Sequence, residues 1–439
     1  MTAPGATTAW AGQPPAPGEL RLITSDQPLS LAEHIERYGP ARPAGPGATA
    51  LITEVDHAGL TGRGGGAFPA ARKMRAVADA SLRRGKVRGG TGSVVVANGS
   101  ESEPASSKDE VLLSHAPHLV LDGITLSAAA VGADQAYLCL SPRNPAMARA
   151  VAAAVAERDQ AGFSEPPVTL ISTPDGYLSG QETALISALN GSHPLPTFIP
   201  PRPAERGVQR RPTLVQNVET LAHIALIARF GATWFREVGT AGAPGSALVT
   251  VTGCVARPGV REIPLGTPLG EVLRRSGALS GTQAVLTGGY FGTWLPLPAA
   301  WQVPVSEESM RAAGAALGPG VLAVLPGSAC GLAETARVLG FLADNSARQC
   351  GPCRNGMPAL ADAMKQIAFG RPGHDVVGWI GQLSGLITSR GACHLPDGGA
   401  ALARTALDVF AADLRAHLAS GPCDRAYRPA ALPIPTGRA

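Results

Sequence analysis

Short apolar runs alternate with longer stretches of helical periodicity over residues 46–240. Three of the runs are candidates for buried strands, at residues 93–97, 136–140 and 168–172. Stretches with apolar residues three and four apart, at residues 118–133 and 145–156, separate these runs. This alternation predicts a parallel α/β sheet, and the ligands of such sheets gather at the carboxyl ends of the strands.

The chain after residue 180 carries the same kinds of pattern in a different order. Residues 181–189 predict a helix, and residues 212–227 predict a polar turn that leads into an apolar helix. Between residues 246 and 330, β-like runs and a helix over residues 267–276 predict a small α+β domain. Residues 331–425 predict a helical bundle, with helices at residues 332–344, 357–369, 376–384 and 399–417.

The two ends and the composition limit the class of protein. Residues 1–45 and 426–439 are rich in proline, alanine and glycine and predict tails or arms, with one short helix over residues 29–38. The N-terminus lacks the basic start and apolar core of a secretory signal, and no run of about 18 uncharged apolar residues occurs. Seven sparse cysteines indicate reduced thiols, so we expect a cytoplasmic protein without direct membrane insertion. A net charge of +4 over 439 residues gives no indication of a nucleic-acid partner.

A glycine-rich stretch is the first candidate for ligand chemistry. Four glycines stand close together, at Gly62, Gly64, Gly65 and Gly66. They let successive backbone N–H groups converge on an anion, and the helix predicted to follow, which carries Lys73, also favours phosphate at its N-terminus. A mobile loop without a ligand is the alternative. The polar segment, residues 98–109, follows the first predicted strand, where either a cofactor-binding loop or an ordinary acidic surface loop is expected.

Three cysteines fall within the predicted bundle, at Cys350, Cys353 and Cys393. The spacing of the first two lets both sulfurs face one metal centre, and soft thiolates select iron–sulfur clusters or zinc. Cys-Gly-Pro-Cys is also a dithiol redox motif, which requires a strand running into it. The preceding residues predict the end of a helix instead, so cluster ligation is favoured over a redox dithiol, with chance spacing as the third interpretation.

Together these motifs resemble one family: the flavin-carrying, NADH-oxidising subunit of respiratory complex I and the related diaphorase subunits of NAD-linked hydrogenases and formate dehydrogenases. The resemblance extends over residues 46–425. Its motifs follow the family's order, at residues 62–69, 98–109, 177–185, 212–221 and 347–356. It implies an α/β Rossmann-like FMN domain over residues 46–240, a ubiquitin-like β-grasp domain over residues 246–330, and a C-terminal four-helix bundle over residues 331–425.

The resemblance also implies the residues of the site. The positions that match the family's FMN-binding segments are Gly62, Arg63, Gly64, Gly65, Lys73, Asn98, Gln216, Asn217 and Thr220. Glu101 and Glu182 match catalytic positions near the nicotinamide dinucleotide, and Phe68 matches an aromatic residue that stacks on adenine. The ligands of a [4Fe–4S] cluster are matched by Cys350, Cys353 and Cys393. In this family FMN accepts a hydride from NADH, and electrons leave singly through the cluster.

The chain departs from the family pattern at several working positions. Ala347 replaces the first cluster cysteine, so we expect a [3Fe–4S] cluster, a [4Fe–4S] cluster with another ligand such as Cys330, or no cluster. Two acids of the dinucleotide site are replaced by Ser100 and Gln181, and two aromatic residues by Arg75 and Arg202. These changes predict either a shift from NADH toward NADPH or the loss of dinucleotide binding. Ala67 replaces a glycine, which costs on the order of 1 kcal/mol if that position needs a positive φ.

The expected function is therefore that of an FMN-dependent NAD(P)H oxidoreductase subunit, which passes single electrons through an iron–sulfur cluster to a protein acceptor. The expected acceptor is a ferredoxin-like or [2Fe–2S] protein, either separate or within a larger redox complex. Two alternatives stay open. One is a non-catalytic scaffold of the same fold, and the other is a thiol–disulfide protein that uses Cys350 and Cys353.

Overall fold

The computed structural model describes residues 15–16, 19–25, 27–40, 48–88, 92–163, 166–371, 373 and 375–435. Parts of both predicted tails, at residues 1–14, 41–47 and 436–439, lie outside the described residues. Within the described residues, no helix is both long enough and apolar enough to cross a membrane.

A four-stranded parallel sheet forms the centre of the first half of the chain. Its strands are β1 (Ser93–Gly99), β2 (Ala133–Leu140), β3 (Val168–Ser172) and β4 (Thr213–Asn217). They lie in the order β3-β2-β1-β4. Val95 of β1 packs into the main core, whereas Val94 and Val96 pack into a smaller cluster on the other face. Burial on both faces explains the continuous apolar run of β1, and the predicted parallel α/β sheet is confirmed.

Helices pack on both faces of this sheet. They are α1 (Leu31–Tyr38), α2 (Ala48–Ala58), α3 (Ala70–Arg88), α4 (Lys108–His115), α5 (Pro117–Val131), α6 (Pro145–Gln160), α7 (Glu182–Leu189) and α8 (Val218–Phe235). The backbones of α5 and α8 approach closely, since a Cβ on Gly123 would lie 2.1 Å from the Leu221 carbonyl oxygen. The described part of the N-terminal arm packs against this half, where the Arg21 guanidinium lies 3.9 Å from the centroid of the Trp234 ring.

The polar turn predicted before α8 is wrong, because these residues form β4 and pair with β1. The apolar residues of β4, Leu214 and Val215, are buried. Two apolar residues with polar neighbours are too short a run to predict a strand from the sequence. Pairing sets Asn217 opposite Asn98 at the carboxyl ends of the two strands. The missed strand therefore delivers polar side chains to the edge where a ligand is expected.

A second, mixed sheet follows. Its strands are β5 (Ser246–Gly253), β6 (Gly259–Pro264), β7 (Thr282–Thr287), β8 (Thr293–Pro296) and β9 (Val321–Pro326), and its helices are α9 (Leu269–Arg275) and α10 (Glu307–Ala312). The strand order is β6-β5-β9-β7-β8, with β5 and β9 parallel and the other neighbours antiparallel. The sequence did not predict β8, because four residues are too few to display a strand pattern.

Helices make up the last part of the described chain. They are α11 (Gly331–Asp344), α12 (Met357–Phe369), α13 (Val376–Ile387), α14 (Leu395–Val409) and α15 (Ala411–Ser420). The single helix predicted at residues 399–417 is wrong, because α14 ends at Val409 and α15 begins at Ala411, so the helix is interrupted at Phe410. The buried ring of Phe410 lies 5.2 Å from that of Trp294 in β8, centroid to centroid. Apolar spacing continues across this break, so periodicity did not reveal it.

We expect Gly123→Ala to lower the free energy of unfolding by about 1–3 kcal/mol, because the added methyl group must push α5 away from α8. The matched control is Gly340→Ala in α11, where an added Cβ meets no atom within 4 Å. That variant should gain about 0.5–1 kcal/mol from its higher helix propensity. Chemical denaturation of both variants measures the difference, and equal stability would contradict the close packing of α5 on α8.

Candidate functional site

The carboxyl ends of β1 and β4 form the centre of the candidate site. The side-chain amide of Asn217 donates to the Asn98 carbonyl over 3.3 Å, and that of Asn98 donates to the Gly180 carbonyl over 2.8 Å. Asn217 also caps α8, since its Oδ1 accepts the backbone N–H of Glu219 at 3.0 Å. The polar segment, the residues before α7 and the start of α8 therefore meet at one edge of the sheet.

The glycine loop, residues 62–66, is attached to this edge through the backbone. The N–H of Arg63 donates to the Thr220 hydroxyl in the first turn of α8 over 2.9 Å. The N–H of Gly62 donates to the Phe68 carbonyl, also over 2.9 Å, and closes the loop on itself. Helix α3 begins directly afterwards, so the loop and the helix N-terminus are held together, as the sequence predicts.

Glycine is needed in this loop for two different reasons. A Cβ on Gly64 would lie 3.2 Å from the Cβ of Asn217, which is tighter than ordinary packing. Gly65 has a φ of +103°, which side chains rarely allow. Ala67 has a φ of +45°, so the position where the family has glycine does need a positive φ. The strain expected from this replacement is therefore present.

A buried charge cluster joins the glycine loop to its surroundings. Lys108 Nζ lies 2.6 Å from Asp109 Oδ1 and 2.9 Å from Glu219 Oε2, and all three side chains are buried. The other oxygen of Glu219 accepts the backbone N–H of Leu248 in β5 at 2.9 Å and lies 3.9 Å from Arg63 Nε. One carboxylate thus connects the glycine loop, the polar segment, α8 and the second sheet.

The protonation states of this cluster follow from its geometry. Burial opposes ionisation of Glu219, but the charge of Lys108 and contacts with His223 and Arg63 outweigh it and lower the pKa of Glu219 to about 2. Burial also opposes the charge of Lys108, and the neighbouring acids raise its pKa above the usual range. The cluster is therefore an ion pair at neutral pH. The sequence analysis did not predict this charge cluster. Its residues lie in two of the segments that match the family, residues 98–109 and 212–221, but only the folded chain brings them together.

Glu101 is held inside the polar segment. Its carboxyl accepts the Ser106 hydroxyl at 2.6 Å and the backbone N–H groups of Asp109 and Glu110 at 3.1 and 2.8 Å. It therefore occupies the N-terminus of α4. Burial and the charge of Asp109 raise the pKa of Glu101 to about 7. The carboxyl has a fixed orientation and can gain or lose a proton near neutral pH.

Lys73 and Glu182 meet although they belong to different segments. Nζ of Lys73 lies 2.7 Å from Oε1 of Glu182, and both side chains are partly exposed. An ion pair with this exposure is worth at most about 1 kcal/mol, so a ligand can rearrange it at little cost. Phe68 is 45% exposed, and the Arg72 guanidinium lies 5.4 Å from the centroid of its ring. Much of that ring is accessible for stacking.

Gln216 gives the most direct indication of a ligand. It is 4% exposed, and its Nε2 has no hydrogen-bond partner among the described residues. The buried hydroxyl of Ser100 also lacks a partner there. These two groups are therefore free to hydrogen-bond to polar atoms of a bound molecule. Together with a glycine loop suited to phosphate, they fit FMN.

The structure brings Cys350, Cys353 and Cys393 together. The thiol of Cys353 is buried beside those of Cys393 and Cys350, and these contacts raise its pKa. The hydrogen bond with Cys353 lowers the pKa of Cys393 to about 7. Helix α11 ends before this cysteine site and no strand runs into it, which fits the expectation of cluster ligands. The cysteine site offers three thiols, and Ala347 offers none.

Cys330 is not a replacement ligand for this cluster. It precedes α11, whereas the cysteine site follows α11, and the 14 residues of that helix span about 20 Å. Its sulfur instead lies 3.8 Å from Nε2 of His417. The sequence could not place Cys330, because its position depends on the direction of α11.

Comparison with known proteins finds similarity over most of the chain. Residues 55–226 match the Nuo51 FMN-binding domain, and residues 328–417 match the NADH-ubiquinone oxidoreductase-F iron–sulfur binding region. The chain is 30% identical over 386 residues to the NADH-quinone oxidoreductase F 2 subunit of Rhizobium meliloti, covering 85% of this chain and 90% of that relative. It is also 30% identical over 389 residues to the NADH-quinone oxidoreductase F subunit of Mycobacterium tuberculosis (strain H37Rv), covering 85% of both.

Two solved structures of an NAD+-reducing [NiFe]-hydrogenase are also similar. The H2-reduced state has a TM-score of 0.75 and 29% identity and covers 86% of this chain. The air-oxidised state has a TM-score of 0.77 and 31% identity and covers 89%. The chain spans about two thirds of each hydrogenase chain, 64% and 66% of their lengths.

We expect Ala67→Gly to raise the free energy of unfolding by up to about 1 kcal/mol, because glycine adopts the observed φ without a Cβ contact. The matched control is Ala76→Gly at an exposed position of α3, which should cost about 1 kcal/mol. Thermal unfolding of both variants measures the difference. A loss in Ala67→Gly as large as that of the control would contradict a strained backbone at this position.

Proposed function

Because the chain belongs to the family of NADH-quinone oxidoreductase F subunits, we propose that it acts as an FMN-dependent NADH oxidoreductase subunit. In this role it takes a hydride from NADH and delivers single electrons to a protein acceptor. The family resemblance of the sequence motifs is confirmed by these matches. The observation that carries the proposal is the buried, unpartnered Nε2 of Gln216 among the described residues, next in sequence to the Asn217 that contacts the glycine loop.

We assign three roles to the three parts of the chain. Residues 46–240 form the Rossmann-like FMN domain, which the parallel sheet with helices on both faces supports. Residues 246–330 form a β-grasp domain, which the strand order β6-β5-β9-β7-β8 with a parallel central pair supports. Residues 331–425 form the four-helix bundle that carries the cysteine site, with α11 to α14 as its helices.

FMN, when bound, accepts two electrons as a hydride and releases them one at a time. The chain binds and orients it with residues of three segments: Gly62, Gly64, Gly65 and Lys73; Asn98; and Gln216 and Asn217. The backbone N–H groups of residues 64–66 and the ammonium of Lys73 suit the phosphate, and the buried amide of Gln216 suits the ring. Arg63 and Thr220 support the glycine loop through their hydrogen bond to each other.

The dinucleotide is assigned to Glu101, Glu182 and Phe68. The two carboxyls orient the nicotinamide, and the exposed ring stacks on adenine. Arg75, which predicted tolerance of an additional phosphate, lies 3.3 Å from Asp56 and is partly neutralised. NADH is the preferred donor, because the relatives are NADH-quinone oxidoreductases. NADPH is the second candidate, because Arg202 is exposed where the family has an aromatic residue.

The electron exit is assigned to Cys350, Cys353 and Cys393. An iron–sulfur cluster held there relays electrons singly. Since Ala347 offers no sulfur, the donor set favours three irons over four. The side-chain amide of Gln349 donates to the Pro196 carbonyl and attaches the cysteine site to the first half of the chain.

The acceptor is proposed to be a ferredoxin-like or [2Fe–2S] protein within a larger redox complex. Cys350 and Cys393 are only half-buried, so the cysteine site lies close to the surface. A separate electron-transfer protein that docks there can approach the cluster directly. The relatives' names support this arrangement, since they are subunits of larger enzymes.

We expect Gln216→Leu to weaken FMN binding about tenfold, because the variant removes a buried donor that the ligand would satisfy. The matched control is Gln283→Leu, whose Nε2 already donates to the Pro326 and Ala329 carbonyls at 2.8 Å in the second sheet. Fluorescence titration of the flavin measures the affinity, and anaerobic addition of NADH or NADPH to FMN-loaded wild-type chain measures bleaching.

Faster bleaching by NADH than by NADPH supports the proposed donor. A colourless chain that binds no FMN would instead indicate a scaffold without this chemistry. Activity that survives without flavin and disappears in Cys350→Ser would support the thiol–disulfide alternative. Equal loss of FMN in both glutamine variants would contradict the assignment of Gln216.

We expect Ala347→Cys to raise the iron content of the anaerobically purified chain from about three to about four atoms per chain, because it restores the missing thiolate. Electron paramagnetic resonance of the oxidised protein should lose its three-iron signal. Ser346→Cys, one residue away, is the matched control and should leave the iron content unchanged. Four irons in the unaltered chain would show that another ligand completes the cluster.

A further inference from the structure

A second group of soft ligands lies apart from the cysteine site. Cys330 precedes α11, His417 lies in the last turn of α15, and Cys423 follows that helix. Their ligand atoms all lie within 4.8 Å of one another. Cys330 and His417 are buried, and Cys423 is half-buried. No role in the flavin or cluster chemistry uses these three residues.

The imidazole of His417 is oriented as metal-binding histidines are. Its Nδ1 lies 3.0 Å from the Ile367 carbonyl, which can only accept, so Nδ1 carries the proton. Nε2 therefore carries the lone pair, and it lies 3.8 Å from the sulfur of Cys330. This lone pair accepts the backbone N–H of Cys423 at 3.1 Å, which brings Cys423 to the ring, and a bound ion would replace this hydrogen bond. In a ligating histidine, a hydrogen bond from the ring nitrogen that does not bind the metal, here Nδ1, commonly fixes the tautomer.

We propose that Cys330, His417 and Cys423 bind a zinc ion. Two sulfurs and one imidazole nitrogen are ligands that Zn²⁺ prefers. Binding releases one proton from each thiol, and the two thiolates then balance the charge of the ion. Water would be the fourth ligand, and it would reach the ion from the half-buried side of Cys423.

The ion would fasten the C-terminal segment to the bundle. Residues after α15 already contact α11: the N–H groups of Ala431 and Leu432 donate to Glu334 Oε2 at 3.0 and 3.1 Å. The Arg337 guanidinium donates to the Ala426 carbonyl at 2.8 Å. Zinc would join the start of α11, the end of α15 and this segment at one point. The ion would lie about one helix length from the cysteine site.

The test uses the full chain, loaded with FMN and purified from cells grown with added zinc. Elemental analysis should find about one zinc per chain in addition to iron. X-ray absorption at the zinc edge should show two sulfur ligands at about 2.3 Å and nitrogen or oxygen ligands at about 2.0 Å, as is usual for such sites. A zinc with three sulfur ligands would place it at the cysteine site and overturn the proposal.

Variants locate the ion independently. Cys423→Ser should lose the zinc while iron and FMN contents stay unchanged. Cys254→Ser, at another half-buried free thiol, is the matched control and should keep it. Zinc retained in Cys423→Ser, or a Cys330–Cys423 disulfide found by mass spectrometry of the purified chain, would overturn the proposal.

Discussion

A lysine and a glutamate with almost no solvent exposure meet at 2.9 Å where the separate parts of this chain converge. Lys108 lies near the end of the polar segment, where α4 begins, and Glu219 lies in the first turn of α8. Removing one partner of such a pair typically costs about 3–5 kcal/mol, since the other charge stays buried without compensation. The same carboxylate binds the backbone of β5. The relation between the two sheets and the geometry of the glycine loop therefore depend on one buried interaction.

This arrangement separates support from ligand binding. The buried charges are already paired, and Arg63 and Thr220 use their hydrogen bond to hold the loop. The groups left for a ligand are the N–H groups of residues 64–66, the amide of Gln216 and the weakly paired Lys73. A site preorganised in this way loses little entropy when a cofactor binds. Electron transfer would benefit as well, because a fixed flavin keeps a fixed distance to the cysteine site.

The sequence predicted the elements that have a strong local pattern. The continuous apolar run of β1 and the spacing of α11 and α12 are examples, and the ordered motifs identified the family. The sequence-based prediction failed where contacts with residues distant in sequence determine the structure. β4 has only two apolar residues, and at the helix break Phe410 packs against Trp294 of another element.

The candidate site shows the same division. Motif positions such as Asn98 and Asn217 do come together at one edge of the sheet. The pairing of Lys108 with Glu219, and that of Cys330 with His417, joins residues far apart in sequence that no short motif links. Cys330 lies at the start of α11, whereas the cysteine site lies beyond its end, and the sequence does not show how far apart the helix holds them. Such long-range pairings are set by packing, and a single sequence does not display them.

The most direct measurement is a crystal structure of the full chain soaked with FMN. The account predicts the phosphate on the backbone N–H groups of residues 64–66 and the Nε2 of Gln216 donating to the isoalloxazine ring, with Lys108 and Glu219 still paired. An empty or blocked site, or FMN bound elsewhere while that ion pair is intact, would contradict it.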